Sequence, residues 1–481
     1  MNPATSPLLT DLYQLTMAAA AWHAGMAEEE SVFHLYFRRL PFEGGYAIAA
    51  GLDPALDWLE GFRFSPEDIS YLATLKGGKG GPLFAPGFLQ YLAGMKLNLK
   101  VEAVAEGTAI FAHEPLLRVT GPLVHAQLAE TALLNFINFQ TLIATKAARV
   151  CEAAAGGTVV EFGLRRAQGP DGGVSASRAA YIGGVSATSN VVAGQIHGIP
   201  VKGTHAHSWV MAFDDELEAF ERYVDAMPDN SILLVDTYDT LEGVAHAIEA
   251  GKKLAARCHR LDGIRLDSGD LAWLSIEARR LLDAAGFTDA KIVASNDLDE
   301  HLIESLRHQG ARIDIWGVGT QLVTGGGQSA LGGVYKLGAI RGEDGNWKPR
   351  FKRSEQAAKA SIPGILQVRR FEKDGRLVAD AIYDEDRSFP AEASVVDPAD
   401  AMRRRRLPAD ATFTDLLQPV MAAGKRLVPP VPLVAIRERV KQQLAALDPG
   451  IRRLVNPHRY PAGIESTLAA RREELNRRDL P

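Results

Sequence analysis

Residues 232–270 read ILLVDTYDTLEGVAHAIEAGKKLAARCHRLDGIRLDSGD, and they contain a complete strand–helix–strand unit. Two apolar runs, at 232–236 and 263–267, each end on an aspartate, and residues 240–256 between them carry apolar side chains at helical spacing. A helix that connects two buried strands of one sheet makes those strands parallel. The stretch therefore predicts a parallel α/β sheet.

The same pattern continues on both sides of this unit. Further apolar runs end on polar or glycine residues at 158–162, 199–203, 291–295, 313–317 and 334–337. Helical patterns fit at 214–227, 240–256, 270–285 and 298–309. Repeated strand–helix units of this kind predict an irregular parallel α/β barrel, in which ligands bind at the carboxyl ends of the strands.

The residues on either side of the barrel predict a second domain. Alternation at 31–40 and the pattern at 97–120 indicate strands, and residues 365–383 indicate a hairpin with an Asp-Gly turn. An apolar stripe from Leu128 to Val150 predicts one long helix. We expect a second α/β domain built from both flanks of the barrel, at 1–125 and 345–430, with the barrel and its connecting helix at 126–344. A C-terminal helical extension is expected at 431–481, with breaks at Pro449 and Pro457.

The composition favours a cytoplasmic protein that binds small molecules. Its 53 basic and 59 acidic residues give a net charge of -6, which excludes the broad basic surface that nucleic-acid binding requires. The two cysteines, Cys151 and Cys258, are too few for a disulfide framework and suit a reducing compartment. No basic residue precedes Arg38, so no signal peptide is expected, and no apolar run approaches the ~18 residues of a membrane helix.

The end of the run at 263–267 carries a cation beside an anion. Arg265 and Asp267 are two residues apart and project on the same side of the strand, an arrangement that suits a sugar phosphate. The alternative is a structural ion pair together with a helix cap from Ser268 or Asp270.

The segment Gly317-Val-Gly-Thr320 follows another predicted strand. Glycines there would let backbone N–H groups turn toward a phosphate, and the Thr320 hydroxyl would add a donor. The alternative is a plain turn that needs glycine for a positive φ.

His207 lies just beyond the predicted strand at 199–203, where an imidazole has room for nucleophilic or acid–base chemistry. A structural histidine is the alternative. His205, two residues earlier, raises the possibility of a metal site, but a pair of histidines without a third ligand nearby is a weak zinc signal.

Together these segments resemble the nicotinate phosphoribosyltransferase family. The resemblance covers nearly the whole chain, in the family's order, at residues 10–17, 161–169, 203–208, 265–271, 317–320, 333–337 and 456–460. It implies a type II phosphoribosyltransferase fold, in which an irregular α/β barrel lies beside an α/β sandwich domain. It also implies a homodimer whose active sites share residues across the interface. It also implies the transfer of phosphoribose from phosphoribosyl pyrophosphate to nicotinate in NAD biosynthesis, with Mg²⁺ as cofactor and ATP as co-substrate.

The resemblance assigns roles to individual residues. His207 would be phosphorylated by ATP and would act with Arg265 and Asp267 as the catalytic group. Tyr13 would be contributed to nicotinate by the partner chain. Nicotinate would be surrounded by Tyr13, Phe162, Arg165, Gly203, Thr204 and Arg265, and phosphoribosyl pyrophosphate by Asp267, Asn296, Gly317, Gly319 and Thr320, with no side chain assigned to a metal. The chain departs from the family at His205, where an apolar residue is expected.

Three other functions compete with this interpretation. A nicotinamide-using relative would need an acidic residue near the amide, and the segment Ala187-Thr-Ser-Asn190 offers none. A non-catalytic phosphoribosyl-binding protein is expected to have lost His207, Arg265 or Asp267, and all three are present. An unrelated sugar-phosphate lyase would leave the segments around Tyr13 and at 161–169 unexplained.

Overall fold

A computed structural model describes residues 5–353 and 360–477. The chain forms two compact units, and the chain passes between them at Leu142/Ile143 and at Ser329/Ala330. The first unit therefore contains both ends of the chain and the second contains its middle. Small parts of the predicted sandwich domain and C-terminal extension, at 1–4, 354–359 and 478–481, lie outside the described residues.

The N-terminal part of the first unit alternates helices with short strands. Its helices are α1 Leu12–His23, α2 Leu52–Gly61, α3 Pro66–Thr74, α4 Pro86–Gly94 and α5 Leu123–Leu128, and its strands are β1 Glu30–Phe37, β2 Ala47–Ile48, β3 Lys100–Ala103, β4 Ala109–Ile110 and β5 Leu117–Pro122. The predicted long helix is α6, Glu130–Ala154, and the boundary between the units falls within it.

The second unit contains a parallel sheet covered by helices. Its strands are β6 Thr158–Glu161, β7 Ala187–Thr188, β8 Ile232–Leu234, β9 Gly263–Leu266, β10 Lys291–Ser295 and β11 Ile315–Val318. Its helices are α7 Pro170–Ile182, α8 Val191–His197, α9 His207–Val210, α10 Glu216–Ala226, α11 Thr240–Ala256, α12 Leu271–Ala284, α13 Glu300–His308 and α14 Thr320–Val323. The strands lie in the order β7-β6-β11-β10-β9-β8, and every pairing is parallel.

Four helices of this unit begin where an aspartate caps the first turn. Each carboxylate accepts backbone N–H groups that have no partner inside the helix, which fixes the residue at which the helix starts. The caps are Asp215 before α10, Asp239 before α11, Asp270 before α12 and Asp299 before α13.

Two of the predicted barrel strands are wrong. Residues 199–203 form only a single parallel bridge, between Val201 and Thr188, instead of a strand. Residues 334–337 lie in a strand of the first unit, Gly333–Arg341, which pairs antiparallel with β1. Hydrogen bonds between the described strands leave β7 and β8 as the two edges of a six-stranded sheet, so a closed barrel is not shown.

The C-terminal part of the first unit completes two sheets. Its elements are β12 Gly333–Arg341, β13 Trp347–Pro349, β14 Leu366–Lys373, β15 Arg376–Asp384, β16 Ser394–Asp397, β17 Asp400–Arg406, β18 Thr412–Asp415, β19 Gln418–Ala422, β20 Lys425–Arg426, α15 Leu433–Ala446, β21 Ala462–Glu465 and α16 Ser466–Arg477. One sheet has the order β13-β12-β1-β5-β3-β19-β20, and the other has the order β17-β16-β21-β15-β14-β18.

This part confirms the predicted hairpin, formed by β14 and β15 around Asp374 and Gly375. Pro449 and Pro457 do lie between the last two helices. The strand β21, which pairs with β15, was not expected in a tail predicted to be helical. Within the residues that the structure describes, no helix combines the length and apolar character that crossing a membrane requires.

Candidate active site

The carboxyl ends of the parallel strands in the second unit bring together most of the polar residues singled out in the sequence. We call this group the strand-end site. It comprises residues 161–165, 203–207, 236–237, 265–268, 295–296 and 317–320, which follow or flank β6, β8, β9, β10 and β11. Because parallel strands place these ends on one edge of the sheet, loops far apart in sequence meet there.

Two aspartates join the ends of β8 and β9. Oδ2 of Asp236 accepts the backbone N–H of Asp267 at 2.9 Å and the hydroxyl of Ser268 at 2.7 Å. The other oxygen, Oδ1, is buried and has no hydrogen-bond partner in the described part of the chain. A buried carboxylate oxygen without a partner is costly, so a ligand or cation at this position would be stabilised.

His207 lies at the start of α9, next to these aspartates. Its Nδ1 is 3.2 Å from the Thr237 hydroxyl, and its Nε2 is 3.8 Å from Oδ2 of Asp267. Ser295 donates a hydrogen bond to the other Asp267 oxygen, which holds that carboxylate in place. The His207 side chain is 39% exposed, so its oriented imidazole remains accessible to a phosphoryl donor.

Arg265 lies on β9 with most of its guanidinium buried. Nη1 donates to the Thr204 hydroxyl at 2.8 Å, and the buried Nε has no partner among the described residues. Burial lowers the pKa of Arg265, the charges of Asp267 and Asp236 oppose this, and the positive charge of Arg165 adds to it. The two arginines are thus close enough to repel each other.

The alternative of a structural ion pair is not seen. Within residues 5–353 and 360–477, neither Arg265 nor Arg165 forms an ion pair with a carboxylate. The helix cap that was expected together with the ion pair is present. The side chain of Asp270 accepts the backbone N–H of Trp273 at 3.1 Å and so caps α12. Asp236 and Asp267 act on Arg265 without forming a salt bridge, so two neighbouring guanidinium groups that lack one favour an anionic ligand.

The ring of Phe162 packs against Gly317 at the ends of β6 and β11. A Cβ added to Gly317 would lie 2.6 Å from the Phe162 ring. Neither Gly317 nor Gly319 has a positive φ, so the presence of glycine at these positions is not explained by a turn that needs a left-handed backbone. At Gly317 the glycine instead makes room for the ring. Gly319 precedes α14, whose first residue is the half-buried Thr320.

Asn296 follows β10 in a strained backbone conformation. Its φ is 123°, a region that side chains other than that of glycine rarely adopt. The next residue, Asp297, also has a positive φ, of 38°. Both side chains are exposed at the strand-end site. Strain of this kind is concentrated at binding sites, where the fold enforces it.

Three family models match the chain in order. They describe the nicotinate phosphoribosyltransferase N-terminal domain at residues 8–138, the nicotinate phosphoribosyltransferase family at 158–348 and the C-terminal domain at 367–471. A nicotinate phosphoribosyltransferase of Bacillus subtilis (strain 168) is 44% identical over 464 residues, which cover 95% of this chain and 92% of the relative. The chain belongs to the nicotinate phosphoribosyltransferase family. It is therefore an enzyme of the phosphoribosyltransferase class.

Solved structures agree with the family assignment. The crystal structure of human nicotinic acid phosphoribosyltransferase matches with a TM-score of 0.82 and 31% identity, covering 97% of this chain and 99% of the human chain. A nicotinate-nucleotide pyrophosphorylase from Pyrococcus furiosus matches with a TM-score of 0.71 and 22% identity, covering 92% of this chain and 96% of its own. The second match shows a shared fold only.

Tyr13, which the family resemblance places against nicotinate, lies in the first unit on α1. Its side chain is 49% exposed, and its hydroxyl donates to Oε1 of Glu130 at 3.3 Å. Burial raises the pKa of the phenol, and the nearby Glu130 charge raises it further. The exposed ring leaves an aromatic surface available for contact.

Four residues that organise the strand-end site were given no role from the sequence, although each lies at a predicted strand end: Glu161, Asp236, Thr237 and Ser295. Glu161 is fully buried, and its carboxylate accepts the N–H of Gly163, the Ser177 hydroxyl at 2.9 Å and the Thr188 hydroxyl at 2.5 Å. It thereby fixes the loop that carries Phe162 and Arg165. The signal that identifies these residues is their position at strand ends, which the sequence already indicated.

The described side chains do not build a metal site by themselves. Across the described ranges, no group of three or more His, Cys, Asp or Glu side chains is arranged to hold an ion. Nor do His205 and His207 act as a pair, since their hydrogen bonds go to Leu234 and Thr237. A cation at this site would therefore need additional oxygen ligands from a substrate.

Proposed function

We propose that the strand-end site transfers the 5-phosphoribosyl group of phosphoribosyl pyrophosphate to the ring nitrogen of nicotinate. The products are nicotinate mononucleotide and pyrophosphate, and the reaction belongs to NAD biosynthesis. The observation that carries this proposal is the pair of neighbouring cations Arg265 and Arg165, which form no salt bridge in the described part of the chain and lie at the carboxyl ends of the strands. The ring of Phe162, which lies against Gly317 at the same ends, would form a flat wall for nicotinate. Nicotinate is a flat ring with one carboxylate.

The chemistry requires positioning more than proton transfer. The bond from ribose C1 to pyrophosphate breaks as the bond from C1 to the pyridine nitrogen forms, and positive charge develops on the sugar. The pyridine nitrogen already has a free lone pair, so no general base is needed. Fixed charges and an in-line arrangement therefore supply the rate enhancement.

Phosphoribosyl pyrophosphate would be held by Asp267, Asn296, Gly317, Gly319 and Thr320. Support comes from the exposed, strained backbone at Asn296 and from the short helix α14 that begins at Thr320. Mg²⁺ fits this site because the buried Oδ1 of Asp236 has no partner among the described residues, and Asp267, whose backbone N–H donates to the other oxygen of Asp236, brings a second carboxylate to the same strand ends. When bound, Mg²⁺ neutralises charge on the leaving pyrophosphate.

ATP would phosphorylate His207. One ring nitrogen attacks the γ-phosphorus, the bond to ADP breaks, and later attack by water releases inorganic phosphate. The contacts with Thr237 and Asp267 orient the imidazole for this role. The added negative charge would then favour a site that holds Mg²⁺ and pyrophosphate.

The enzyme would work as a cytoplasmic homodimer with shared active sites. Support comes from α1, where Leu12, Tyr13 and Met17 are exposed at 52%, 49% and 39%. Apolar side chains grouped on one exposed helix favour contact with a partner. Tyr13 would reach nicotinate in the partner's site. A chain with only two cysteines suits a reducing compartment.

The six-stranded sheet would form an irregular barrel. Residues 199–206 support this, since they contact both edges of the sheet. At one edge, Lys202 donates its N–H to Thr188 of β7 at 3.0 Å. At the other, the N–H of Leu234 on β8 donates to the His205 ring at 3.2 Å. The segment would thus cover the gap that the missing strand leaves.

The rival functions are less well supported. In the segment 187–190, the Thr188 side chain is directed to the buried Glu161, and Asn190 donates to Ser177, so no carboxylate faces a nicotinamide amide from here. A binding protein without activity would have no need for an accessible His207 held by two polar neighbours.

One assay tests the proposal. Pyrophosphate release is measured with nicotinate, nicotinamide or quinolinate as acceptor, each with and without ATP and Mg²⁺. We expect nicotinate to be strongly preferred and ATP to increase its rate. Equal rates with nicotinamide, or release with quinolinate alone, would overturn the proposed substrate.

A further inference from the structure

The edge strand β8 presents a buried backbone donor on its open side. Val235, the next residue, donates its N–H to the carbonyl oxygen of Arg265 on β9 at 3.2 Å. Because successive N–H groups in a strand point to opposite sides, the N–H of Leu234 points away from β9. Leu234 is fully buried, and in the described part of the chain no strand pairs with this edge to accept the hydrogen bond.

His205 supplies the missing acceptor. Its Nε2 lies 3.2 Å from the Leu234 nitrogen, and its Nδ1 lies 3.4 Å from the carbonyl oxygen of Ala206. This network assigns the proton to Nδ1 and leaves the Nε2 lone pair for Leu234. The ring is packed edge-on against Tyr223, with 4.7 Å between the centroids. Burial lowers the pKa of His205 to about 4, which keeps the ring uncharged at neutral pH.

Gly203 and Thr204, which precede His205, belong to the proposed nicotinate site. The Thr204 hydroxyl accepts from Arg265 at 2.8 Å, and the Gly203 carbonyl accepts from Asn230 at 3.2 Å. Thr204 and Arg265 therefore take their relative position from the segment that His205 attaches to β8. On the other side, His207 is held by Thr237.

We propose that His205 is a positioning residue for nicotinate: its imidazole fixes residues 203–206 to the edge of β8 and so holds the Thr204 hydroxyl against Arg265. The effect of His205 on nicotinate binding rests on the proposed function. The hydrogen bond between His205 and Leu234 does not depend on that function. An apolar residue at 205 would keep the packing on Tyr223 and leave the Leu234 N–H without this acceptor.

Two variants separate the hydrogen bond from the packing. His205→Leu keeps an apolar side chain and removes the acceptor, whereas His205→Gln places an amide oxygen near the position of Nε2. His301→Leu, on an exposed turn of α13, is the matched control for loss of an imidazole. Backbone hydrogen exchange is followed by mass spectrometry in a peptide containing Leu234, and KM is measured for nicotinate and for phosphoribosyl pyrophosphate.

We expect His205→Leu to accelerate exchange at Leu234 and to raise the KM for nicotinate about tenfold, as loss of one buried hydrogen bond implies. The KM for phosphoribosyl pyrophosphate should change about twofold at most, and His205→Gln should restore both readouts. Unchanged exchange in His205→Leu, or a glutamine variant as impaired as the leucine variant, would overturn the proposal. If the parent enzyme does not use nicotinate, the proposed function fails, and exchange at Leu234 still decides the role of His205.

Discussion

The ring of Phe162 occupies the space beside Gly317 that the Cβ of any other residue would need, with only 2.6 Å between the two positions. This contact joins the ends of β6 and β11, and it explains why a glycine stands there without a positive φ. The carboxylate of Glu161 accepts the N–H of Gly163, the residue after Phe162, and so helps to fix the backbone that carries the ring. A larger residue at position 317 should therefore displace the Phe162 ring.

Gly317→Ala should displace Phe162 and raise the KM for nicotinate about tenfold, with a loss of about 1 to 3 kcal/mol in unfolding free energy from overpacking. Steady-state kinetics and urea unfolding measure both effects. Gly61→Ala is the matched control, since its added Cβ would meet no atom within 4 Å. Unchanged kinetics in Gly317→Ala would show that the ring does not form the nicotinate wall.

Asn296→Gly should make the protein more stable and less active. Relief of the strain at φ 123° should add about 1 kcal/mol to the unfolding free energy, while loss of the side-chain amide should raise the KM for phosphoribosyl pyrophosphate about tenfold. Asn456→Gly, at φ 47° outside the strand-end site, should leave the kinetics unchanged. A stabilised Asn296→Gly enzyme with full activity would contradict the proposed role.

Much of the fold could be predicted because it depends on local patterns. The helix at 240–256 and the strand at 291–295 have the predicted bounds, and the hairpin turns where Asp374 and Gly375 indicated. The strand at 334–337 was assigned to the wrong sheet, because an apolar run does not reveal which partner it pairs with. The segment around Val201 has a similar pattern but forms only one bridge.

The strand-end site was predictable in outline for a related reason. Polar residues at the ends of parallel strands meet wherever such a sheet forms, which placed Arg265, Asp267 and His207 together in advance. The hydrogen bonds that orient them could not be predicted, because they join residues far apart in sequence. Asp236, which binds the N–H of Asp267, and Glu161, which holds the Phe162 loop, are both of this kind.

His207→Ala should abolish the stimulation by ATP and leave a slow transfer to nicotinate, because the imidazole would carry the phosphoryl group without forming the glycosidic bond. Rates of pyrophosphate release with and without ATP measure this directly. His308→Ala, an exposed histidine at the end of α13, serves as the control. Equal stimulation by ATP in His207→Ala and in the parent would refute phosphorylation at this residue.

His34 should make the fold sensitive to acid. Burial, with the charge of Arg118 beside it, lowers the pKa of His34 to about 3, and its Nε2 accepts the N–H of Leu366 at 3.0 Å. The unfolded chain, with a pKa of about 6.5, binds this proton first, so unfolding free energy falls as pH drops below about 6.5. The slope should be about 1.4 kcal/mol per pH unit near pH 5.

His34→Gln keeps an acceptor for Leu366 and removes the titration. Urea unfolding between about pH 7.5 and pH 4.5 should show a shallower slope in this variant than in the parent. The raised pKa of Glu114 acts in the opposite direction but is common to both proteins, so it cancels in the difference. Identical slopes would show that His34 is protonated in the folded state.

The central claim is that Arg265 and Arg165 select the carboxylate of nicotinate. The amide of nicotinamide has no charge and adds donors that a guanidinium cannot accept. The most direct test is kcat/KM for both substrates in Arg265→Gln and Arg165→Gln, compared with the parent. We predict a loss of about 100-fold for nicotinate in each variant and a much smaller loss for nicotinamide. An equal proportional loss for both substrates in both variants would contradict the account, because the arginines would then serve the phosphates or the fold.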